Sequence, residues 1–507
     1  MTSKTYSATN VGFGGEFITV ECDVTQGLPN LLIVGLGNRA VDEAKERVRS
    51  AIRNTGLDFP RKRITINLAP ANLPKDGAHF DLAVAIAILT VSKQLPNEAA
   101  GGKTLFVGEL ALDGSLRPIG GIICFAETAL IHGMKTIVMP AQNCAQASLV
   151  EGVDIIGAES LRDVYLHLSG EVTLPTYIAG NIKANKPNLS LVSIDDIHGQ
   201  EQAKRAIVIA AAGHHNVLID GPPGAGKTML AKTLVSLLPP LSRDEIIEVT
   251  KLHSLAGENT EEVMVSRPFR APHHSTSHIS LIGGGRYPKP GEISLAHRGV
   301  LFLDEMPEYS RMTLESLRQP LEDKQIHIAR VNNRVSYPAD FMLVATKNPC
   351  PCGYANDATQ QCRCSRLQIL NYQNRISGPL LDRIDLAVSV SRVDHNSLLS
   401  PSAEHTKDYR AYIINARLAQ QQRFGSSTKT NAHLTNDDIK HIVNLEATAR
   451  NFLNSAATKL LMTARSYFKV IKVARTIADL ERSVNITIPH ISEALQYRPR
   501  TAANLLN

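Results

Sequence analysis

Tryptophan is missing from this 507-residue sequence, and aromatic residues together account for only 5% of it. Proteins that hold single-stranded nucleic acid by stacking many bases depend on aromatic side chains, so the composition disfavours that class. Long apolar runs are missing too. The longest one, Leu82 to Val91, lies between Asp81 and Lys93 and is about half as long as a membrane span. Since the sequence also lacks a signal-peptide pattern, we expect a cytoplasmic protein with no membrane partner.

Cysteine is scarce as well. Seven cysteines in a chain without an export signal indicate a reducing compartment and no disulfide framework. Four of them form two closely spaced C-x-C pairs, namely Cys350, Cys352, Cys362 and Cys364. Four thiolates suit tetrahedral Zn²⁺, although the C-x-C spacing is shorter than the usual spacer in structural zinc sites. A structural zinc site and four reduced, partly buried thiols therefore both stay open as interpretations.

Positive charge is concentrated at one end of the chain. The formal net charge is +6, and residues 396–507 contain 15 Lys and Arg against 8 Asp and Glu. Residues 1–180 contain 15 basic and 18 acidic residues, so the first block is slightly acidic. A basic C-terminal region could serve a polyanion, or it could be the solvated face of a set of helices.

The first part of the chain has a mixed α+β pattern. Within residues 1–170, Ile64–Leu68 and Thr136–Val138 predict strands, Val41–Thr55 predicts an amphipathic helix and Asp81–Ser92 a buried one. Residues 171–193 are rich in Pro, Asn and Lys without periodicity, and we interpret them as a linker.

A second α/β block, residues 194–394, and a helical block, residues 395–507, follow the linker. Buried strands are predicted in the α/β block at Asn216–Asp220, Val300–Asp304 and Phe341–Ala345. The last block has helical periodicity nearly throughout. Its predicted helices span residues 408–423, 435–454, 458–482 and 489–496.

The segment Gly221-Pro-Pro-Gly-Ala-Gly-Lys-Thr228 fits the complete phosphate-binding loop pattern, between a predicted strand and a predicted helix. Glycines allow backbone N–H groups to approach phosphate oxygens, and the helix N-terminus adds positive potential. Lys227 would reach the β- and γ-phosphates, and the Thr228 hydroxyl would ligate Mg²⁺. We predict that the residues holding ATP are Gly221, Pro222, Pro223, Gly224, Ala225, Gly226, Lys227, Thr228 and Met229.

The apolar run Leu301–Leu303 ends in Asp304 and Glu305. A carboxylate at this point would lie near the Mg²⁺, and the next one could activate the attacking water. Alone, the pattern would indicate an ordinary strand with an acidic turn. Beside a phosphate loop it favours hydrolysis over simple binding, with Thr228 and Asp304 as magnesium ligands.

Three further polar residues are candidates for the same chemistry. Asn348 follows the strand Phe341–Ala345 and could hold the water or the γ-phosphate, or it could be a turn residue. Arg383 could act on a neighbour's nucleotide as an arginine finger, or pair locally with a flanking aspartate. Arg465, in the helical block, could touch the γ-phosphate or be a surface arginine.

Specific strings surround these motifs, including Arg270-Ala-Pro-His-His274, Asn348-Pro-Cys-Pro-Cys-Gly353 and Ile376-Ser-Gly-Pro-Leu-Leu-Asp-Arg-Ile-Asp385. Through them the sequence resembles magnesium-chelatase-like AAA+ ATPases of the ComM (YifB-like) family over nearly its whole length. The resemblance implies a central AAA+ P-loop α/β core, a C-terminal helical lid and a homo-hexameric ring. It also implies that Asn348 is sensor 1, Arg383 the arginine finger and Arg465 sensor 2.

An insertion separates the two halves of the nucleotide site, with about 76 residues between Lys227 and Asp304. Residues 283–291 predict an irregular excursion. Downstream, residues 326–336 alternate around Asn332-Asn333 and predict a β-hairpin with Arg330 and Arg334 near its tip. In the family resembled, such hairpins project into the pore, which makes both arginines candidate DNA contacts. The alternative is an exposed hairpin with solubilising charges.

Residues 1–168 resemble the Lon-type proteolytic domain, notably in Gly108–Ile122 and in Pro74-Lys-Asp-Gly77. Its chemistry needs a serine nucleophile and a lysine base. Here the corresponding positions are His79 and Ile123. The resemblance therefore implies an N-terminal Lon-protease-like α+β domain that lacks the catalytic dyad, and we expect no peptidase activity.

The combined expectation is an ATP-dependent hexameric DNA translocase or helicase. The resemblance implies branch migration during homologous recombination of incoming DNA in natural transformation. Expected cofactors are ATP and Mg²⁺, with Zn²⁺ as a candidate structural ion, and expected partners are single-stranded and branched DNA and recombination proteins. The alternatives are a magnesium-chelatase-type motor for metal insertion, an ATP-dependent protease and an ATP-gated scaffold without helicase activity.

Overall fold

The computed structural model describes residues 2–35, 40–71, 73, 75, 77–178, 180, 193–285, 288–329, 334–355, 360–392 and 408–499. Most of the predicted linker, 171–193, and Arg330 at the predicted hairpin tip lie outside these residues. Within the part that is described, no helix combines the length and the apolarity needed to cross a bilayer.

The N-terminal unit is built on a seven-stranded mixed sheet with the order β3-β4-β2-β1-β5-β8-β9. Its strands are β1 Thr2–Val11, β2 Gly14–Thr25, β3 Asn30–Val34, β4 Arg63–Ala69, β5 Thr104–Phe106, β6 Glu109–Leu110, β7 Leu116–Arg117, β8 Thr136–Pro140 and β9 Asp154–Ala158. Its helices are α1 Ala40–Asn54, α2 Asp81–Val91, α3 Asn97–Gly101, α4 Ile122–Ile131, α5 Cys144–Ala147 and α6 Leu161–Ser169. The sequence predictions of β4, β8, α1 and α2 are confirmed.

Helix α2 forms the centre of this unit because it is apolar on every face. All eleven of its residues are buried, including Asp81. A carboxylate can be buried there because Arg47 donates to it at 2.8 Å. The predicted buried helix is therefore the core helix of the unit.

The two residues expected at the dyad positions, His79 and Ile123, are both packed against their neighbours. Ile123 is completely buried in α4. The His79 ring lies 4.0 Å from the Phe80 ring and 5.3 Å from the Phe125 ring, measured between centroids. Among the described residues, His79 Nε2 has no hydrogen-bond partner. Burial lowers the pKa of His79 to about 4, which keeps the ring neutral at physiological pH.

Acidification should therefore destabilise the N-terminal unit through His79. An unfolded histidine takes up a proton near pH 6.5, before the buried one does, so stability is lost as the pH falls towards 4. Between pH 7 and pH 5 this single group should cost about 2 kcal/mol. Thermal unfolding at both pH values should show a smaller loss for His79→Phe. Burial also raises the pKa of Asp81 to about 6, but Asp81 is present in the wild type and in His79→Phe alike. An equal loss of stability in these two proteins would contradict the prediction.

The second unit contains a five-stranded sheet with the order β11-β14-β17-β10-β18, in which each pair of neighbours is parallel. The strands of this unit are β10 Val217–Asp220, β11 Phe269–Arg270, β12 Gly283–Gly284, β13 Lys289–Pro290, β14 Val300–Leu303, β15 Gln325–Ala329, β16 Arg334–Pro338, β17 Met342–Lys347 and β18 Leu386–Ser389. Its helices are α7 Glu201–Gly213, α8 Lys227–Leu237, α9 Arg243–Ala256, α10 His278–Ile282, α11 Glu292–Leu295, α12 Arg311–Ser316, α13 Arg318–Asp323, α14 Arg366–Gln373 and α15 Gly378–Leu381.

The predicted strands at β10, β14 and β17 and the predicted hairpin are confirmed. In the hairpin, β15 and β16 are antiparallel with Ala329 opposite Arg334. The expected irregular excursion at residues 283–291 is wrong in part, because β12 and β13 form a short antiparallel pair, with Gly283 opposite Pro290. A Cβ on Gly283 would lie 2.4 Å from the Lys289 carbonyl oxygen, so this close pairing requires glycine.

The C-terminal unit is helical: α16 Tyr409–Phe424, α17 Asn436–Ile442, α18 Ala447–Lys459, α19 Ala464–Leu480 and α20 Ile488–Gln496. The sequence predicted one continuous helix over 435–454, but the helix is broken between α17 and α18. Residues at the break form backbone hydrogen bonds with another segment: Glu446 N donates to Ile486 O, and Ile486 N donates to Asn444 O. The predicted helix over 458–482 is also interrupted, by Leu461 at φ +48° and by Thr463, which caps α19.

Asp340, between β16 and β17, joins the helical unit to the sheet. It accepts hydrogen bonds from Arg298 Nη1 and from His433 Nε2, both at 3.0 Å, and Lys324 Nζ lies 3.4 Å away. Burial opposes its charge, but His433 and His214 hold the pKa of Asp340 well below its ordinary value. Because His433 belongs to the turn before α17, this buried carboxylate is a shared anchor of both units.

Helix α9 is one of the segments through which the N-terminal unit contacts the second unit. Gly121 N donates to Ser254 Oγ at 2.9 Å, and Lys251 Nζ pairs with Glu127 at 2.5 Å. The same ammonium lies 4.4 Å from the centre of the Phe13 ring. The N-terminal unit is thus held by buried polar contacts as well as by apolar packing.

Candidate nucleotide site

Residues 221–226 connect β10 to α8 in the conformation of a phosphate loop. Gly224 and Gly226 have φ values of +79° and +82°, a region that favours glycine. A Cβ on Gly221 would lie 2.5 Å from the Val390 carbonyl oxygen, so this position also needs glycine. The loop ends at the N-terminus of α8, where unpaired backbone N–H groups favour a bound anion.

Lys227 is the first residue of α8 and is only 8% exposed. Its Nζ donates to Gly221 O at 2.6 Å, to Pro222 O at 3.1 Å and to Asn348 Oδ1 at 2.8 Å. Burial lowers the pKa of Lys227, while nearby carboxylates, Asp304 foremost, oppose that change. The ammonium therefore lies at the loop as a partly desolvated charge that an anionic phosphate would stabilise.

Two carboxylates follow β14 and are positioned by one hydroxyl group. Thr346 Oγ1 donates to Asp304 Oδ1 at 2.6 Å and accepts from Glu305 N at 2.9 Å. Glu305 has φ +49°, an uncommon value for a non-glycine residue, so its backbone is held in a strained turn. Its Oε1 accepts from Asn348 Nδ2 at 3.4 Å. Asn348 thus lies between the lysine and the glutamate.

Parallel strands explain why these side chains meet. Since β14, β17 and β10 run in the same direction, their carboxyl ends lie at one edge of the sheet. That edge brings together Lys227, Asp304, Glu305 and Asn348, while Thr228 and Met229 are exposed at the start of α8. Carboxylate and hydroxyl oxygens are ligands that Mg²⁺ prefers, so Asp304 and Thr228 fit this ion.

Thr346 is a residue of this site that was not predicted from the sequence. Thr346 is fully buried, and the available signal was a hydroxyl at the end of the otherwise apolar run Met342–Ala345. Lys347 is the last residue of β17. It pairs with Asp220 at 3.4 Å across the neighbouring strand ends, so its charge is compensated locally.

Arg383 and Arg465 lie away from this edge and close to each other. Both pair with Glu322, Arg465 at 3.3 Å, and all three residues line a cleft of about 700 Å³. Arg383 O accepts from Asn216 Nδ2 at 2.9 Å, and Asn216 immediately precedes β10. The arginines therefore lie at the amino edge of the sheet.

The separation of the two edges follows from strand length. Strand β10 has four residues, which span roughly 13 Å at the usual rise. The structure thus does not bring Arg383 or Arg465 to the phosphate loop of the same chain. Arg383 does form an ion pair, but with Glu322 from a distant segment and not with the flanking aspartate that was considered for it.

The remaining candidate residues occupy two other places. The four clustered cysteines do come together, with their sulfur atoms all within 4.8 Å of one another. Arg334 is exposed at the start of β16, and Arg330 is outside the described residues.

Comparison with known proteins places this geometry in a family. Family models match three successive parts of the chain: "Subunit ChlI of Mg-chelatase" over residues 20–143, "Magnesium chelatase, subunit ChlI" over 193–398 and "Magnesium chelatase, subunit ChlI C-terminal" over 403–498. Competence protein ComM of Haemophilus influenzae is 44% identical over 499 residues, covering 97% of this chain and 96% of that protein. The chain belongs to the ComM (YifB-like) family of magnesium-chelatase-like AAA+ ATPases.

Other relatives agree with this membership. The uncharacterized protein YifB of Escherichia coli is 42% identical over 491 residues, 96% of this chain and 95% of that protein. Lon protease of Solibacter usitatus is 29% identical over 137 residues, 26% of this chain and 17% of that protein. The expected α/β fold class is confirmed, with a Lon-like first part, an AAA+ core and a helical C-terminal region.

Proposed function

We propose that this protein is an ATP-dependent DNA translocase that works as a hexameric ring and promotes branch migration when incoming DNA recombines during natural transformation. The observation that carries the proposal is the division of the site between two edges of one sheet. The phosphate loop and both carboxylates lie at one edge, and Arg383 and Arg465 lie at the other.

At the carboxyl edge the residues have the arrangement that ATP hydrolysis needs. The loop and Lys227 bind the phosphates, and Asn348 orients the γ-phosphate or the attacking water. Glu305 accepts a proton from that water as the water oxygen bonds to the γ-phosphorus and the bond from phosphorus to the β-phosphate oxygen breaks, which releases ADP. Mg²⁺, held by Asp304 and Thr228, would neutralise charge on the phosphate oxygens.

The arginines at the amino edge require a neighbouring subunit. In a closed ring the amino edge of one subunit faces the nucleotide of the next, so Arg383 and Arg465 act in trans on the γ-phosphate. Glu322 holds both guanidinium groups until that phosphate competes for them. A homo-hexamer with six shared sites is the assembly we propose.

DNA is the proposed track. The relative from Haemophilus influenzae is named a competence protein, and the helical region here carries the basic excess of the chain. Six copies of that excess around one ring would give a strong positive potential for a polyanion. The hairpin of β15 and β16 contributes Arg334, and Arg330 by sequence, as DNA contacts in the pore.

The proposed subunit has four parts, all in the cytoplasm. They are a Lon-like domain without peptidase activity (1–170), a linker (171–193), an AAA+ core (194–394) and a helical lid (395–507). The N-terminal domain stabilises the core through its contacts with α9. Recombination proteins are its proposed partners.

Branch migration on labelled three- and four-way DNA junctions, with ATP hydrolysis measured in parallel, tests the proposal. The wild-type protein should move the junctions only when ATP and Mg²⁺ are present. Lys227→Ala should neither hydrolyse ATP nor move the junctions. Junctions that are bound but never moved while ATP is hydrolysed would rule out the translocase. Hydrolysis without DNA binding would favour a magnesium-chelatase-type motor, and DNA binding without hydrolysis an ATP-gated scaffold.

The hairpin arginines have their own test. Arg330→Ala/Arg334→Ala should weaken DNA binding and lower the slope of log K against log salt, because fewer counterions are released per chain. The slope should fall by roughly one to two per chain, as two phosphate contacts are lost. The exposed Lys62→Ala in the N-terminal unit is the matched control and should leave the slope unchanged. An unchanged slope in the double variant would remove the hairpin from the DNA path.

A further inference from the structure

Four cysteine sulfurs gather in the loop between β17 and α14. Cys350 Sγ lies 3.3 Å from Cys352 Sγ and 3.7 Å from Cys362 Sγ, and the last two are 3.6 Å apart. All four sulfurs, including that of Cys364, lie within 4.8 Å of one another. A tetrahedral zinc ion with Zn–S bonds of about 2.3 Å needs sulfurs separated by about 3.8 Å. The cluster has the size of such a site.

The surroundings of the sulfurs fit a metal better than a disulfide. Every measured separation is far longer than a sulfur–sulfur bond of about 2.05 Å, and all four cysteines are free. Cys364 N donates to Cys362 Sγ at 3.4 Å, and backbone N–H groups of Tyr354 and Arg363 interact with Cys352. Such donors stabilise thiolates around a metal ion. Four protein ligands leave no open position, so the site would be structural.

This loop contacts the nucleotide site on two sides. Cys350 comes two residues after Asn348, whose side chain accepts from Lys227. Gly353, at φ +87°, packs so tightly on the phosphate loop that a Cβ there would lie 2.6 Å from Pro223 Cδ. Gly353 N also donates to Cys350 O at 2.9 Å, which closes the turn between the first two cysteines.

The second cysteine pair leads back to the same place. Cys364 is followed by Ser365, which caps α14, and Gln373 at the end of that helix donates to Pro349 O at 3.2 Å. The segment that follows Asn348 therefore contacts the phosphate loop at Gly353 and contains the four cysteines. The helix after it, α14, contacts Pro349, the residue next to Asn348. An ion bound to all four cysteines would fix residues 350–352 relative to residues 362–364.

We propose that Cys350, Cys352, Cys362 and Cys364 bind one structural Zn²⁺, and that this ion sets the positions of Asn348 and the phosphate loop for ATP hydrolysis. Binding exchanges thiol protons for the metal without any change in oxidation state. The effect on hydrolysis rests on the proposed function. The metal site itself does not.

Metal content is the first test, measured on the full-length protein purified without a metal-binding tag from zinc-supplemented cells. We expect about one zinc per chain in the wild type and in Cys144→Ala, a control cysteine in the N-terminal unit. Cys352→Ser/Cys362→Ser should lose the ion, whereas Cys364→His should keep it, because histidine is also a zinc ligand. Folded wild-type protein with less than about 0.2 zinc per chain would overturn the site.

The coupling has a readout that needs no activity. Removing zinc from the wild type with a chelator should speed amide hydrogen exchange in residues 342–355 and in the phosphate loop, and adding zinc back should restore protection. The ATPase kcat should fall at least about tenfold on removal and recover on addition. Unchanged exchange and unchanged kcat after complete removal would overturn the coupling.

The two proposals fail in different ways. A wild-type protein that binds zinc and shows the exchange changes, but hydrolyses no ATP, would refute the proposed function and support the site. A protein that hydrolyses ATP and moves junctions without bound zinc would refute the site and leave the proposed function intact.

Discussion

Arg383→Ala is expected to reduce ATP hydrolysis roughly 10³-fold or more, although Arg383 lies at the opposite edge of the sheet from the phosphate loop. An arginine supplied in trans stabilises the negative charge that develops on the γ-phosphate. The folded subunit should tolerate the change, because Glu322 is half exposed and keeps its ion pair with Arg465. Steady-state ATPase rates of the assembled protein would measure the loss.

Mixing two inactive variants provides the sharper form of this prediction. In a ring of Arg383→Ala and Lys227→Ala subunits, some interfaces combine an intact Lys227 with an intact Arg383. With equal random mixing this holds for about a quarter of the interfaces, so activity should return. The matched control mixes Arg383→Ala with the double variant Lys227→Ala/Arg383→Ala, which contains no intact pair. Equal rates in both mixtures would show that Arg383 does not act between subunits.

Glu305→Gln should separate ATP binding from ATP hydrolysis. The amide still accepts the hydrogen bond from Asn348 but takes no proton from the attacking water, so the rate should fall roughly 10²- to 10⁴-fold. Binding of a fluorescent ATP analogue should stay within a few-fold of the wild type, since Lys227 and the loop are unchanged. Lys227→Ala is the contrasting variant and should weaken binding as well.

The position of Glu305 depends on the hydroxyl group of Thr346. Because Glu305 is held by Thr346 through its backbone N–H, the substitution should not move the turn. Thr346→Val should therefore also slow hydrolysis by releasing both Asp304 and Glu305 from the hydroxyl. Fast hydrolysis by Glu305→Gln would assign the water-activating role to another residue.

The nucleotide site could be predicted from the sequence wherever its signals are local. The phosphate loop has fixed spacing between a strand and a helix, and Asp304 and Asn348 each follow an apolar run. Parallel strands then bring their ends together without further information. Thr346 could not be predicted, because a hydroxyl in a strand can be assigned to the site only when the end of the neighbouring strand is known to lie beside it.

Contacts between distant segments account for the remaining differences. Glu322 meets Arg383 and Arg465 across separations of 61 and 143 residues, which no periodicity encodes. The break between α17 and α18 likewise depends on Ile486, which lies between α19 and α20. Helical periodicity continues through the break because those side chains still face one core, whereas the backbone hydrogen bonds go elsewhere.

Strand β17 connects the nucleotide site to the buried anchor Asp340. It has six residues and is therefore about 20 Å long, with Asp340 just before it and Asn348 just after it. As the central strand of its sheet it is hydrogen-bonded on both sides, so it resists stretching and bending. After its carboxyl end, Asn348 contacts Lys227, and before its amino end, Asp340 binds His433 of the helical unit. The contact with Lys227 and the attachment of the helical unit therefore belong to one rigid element that spans the core.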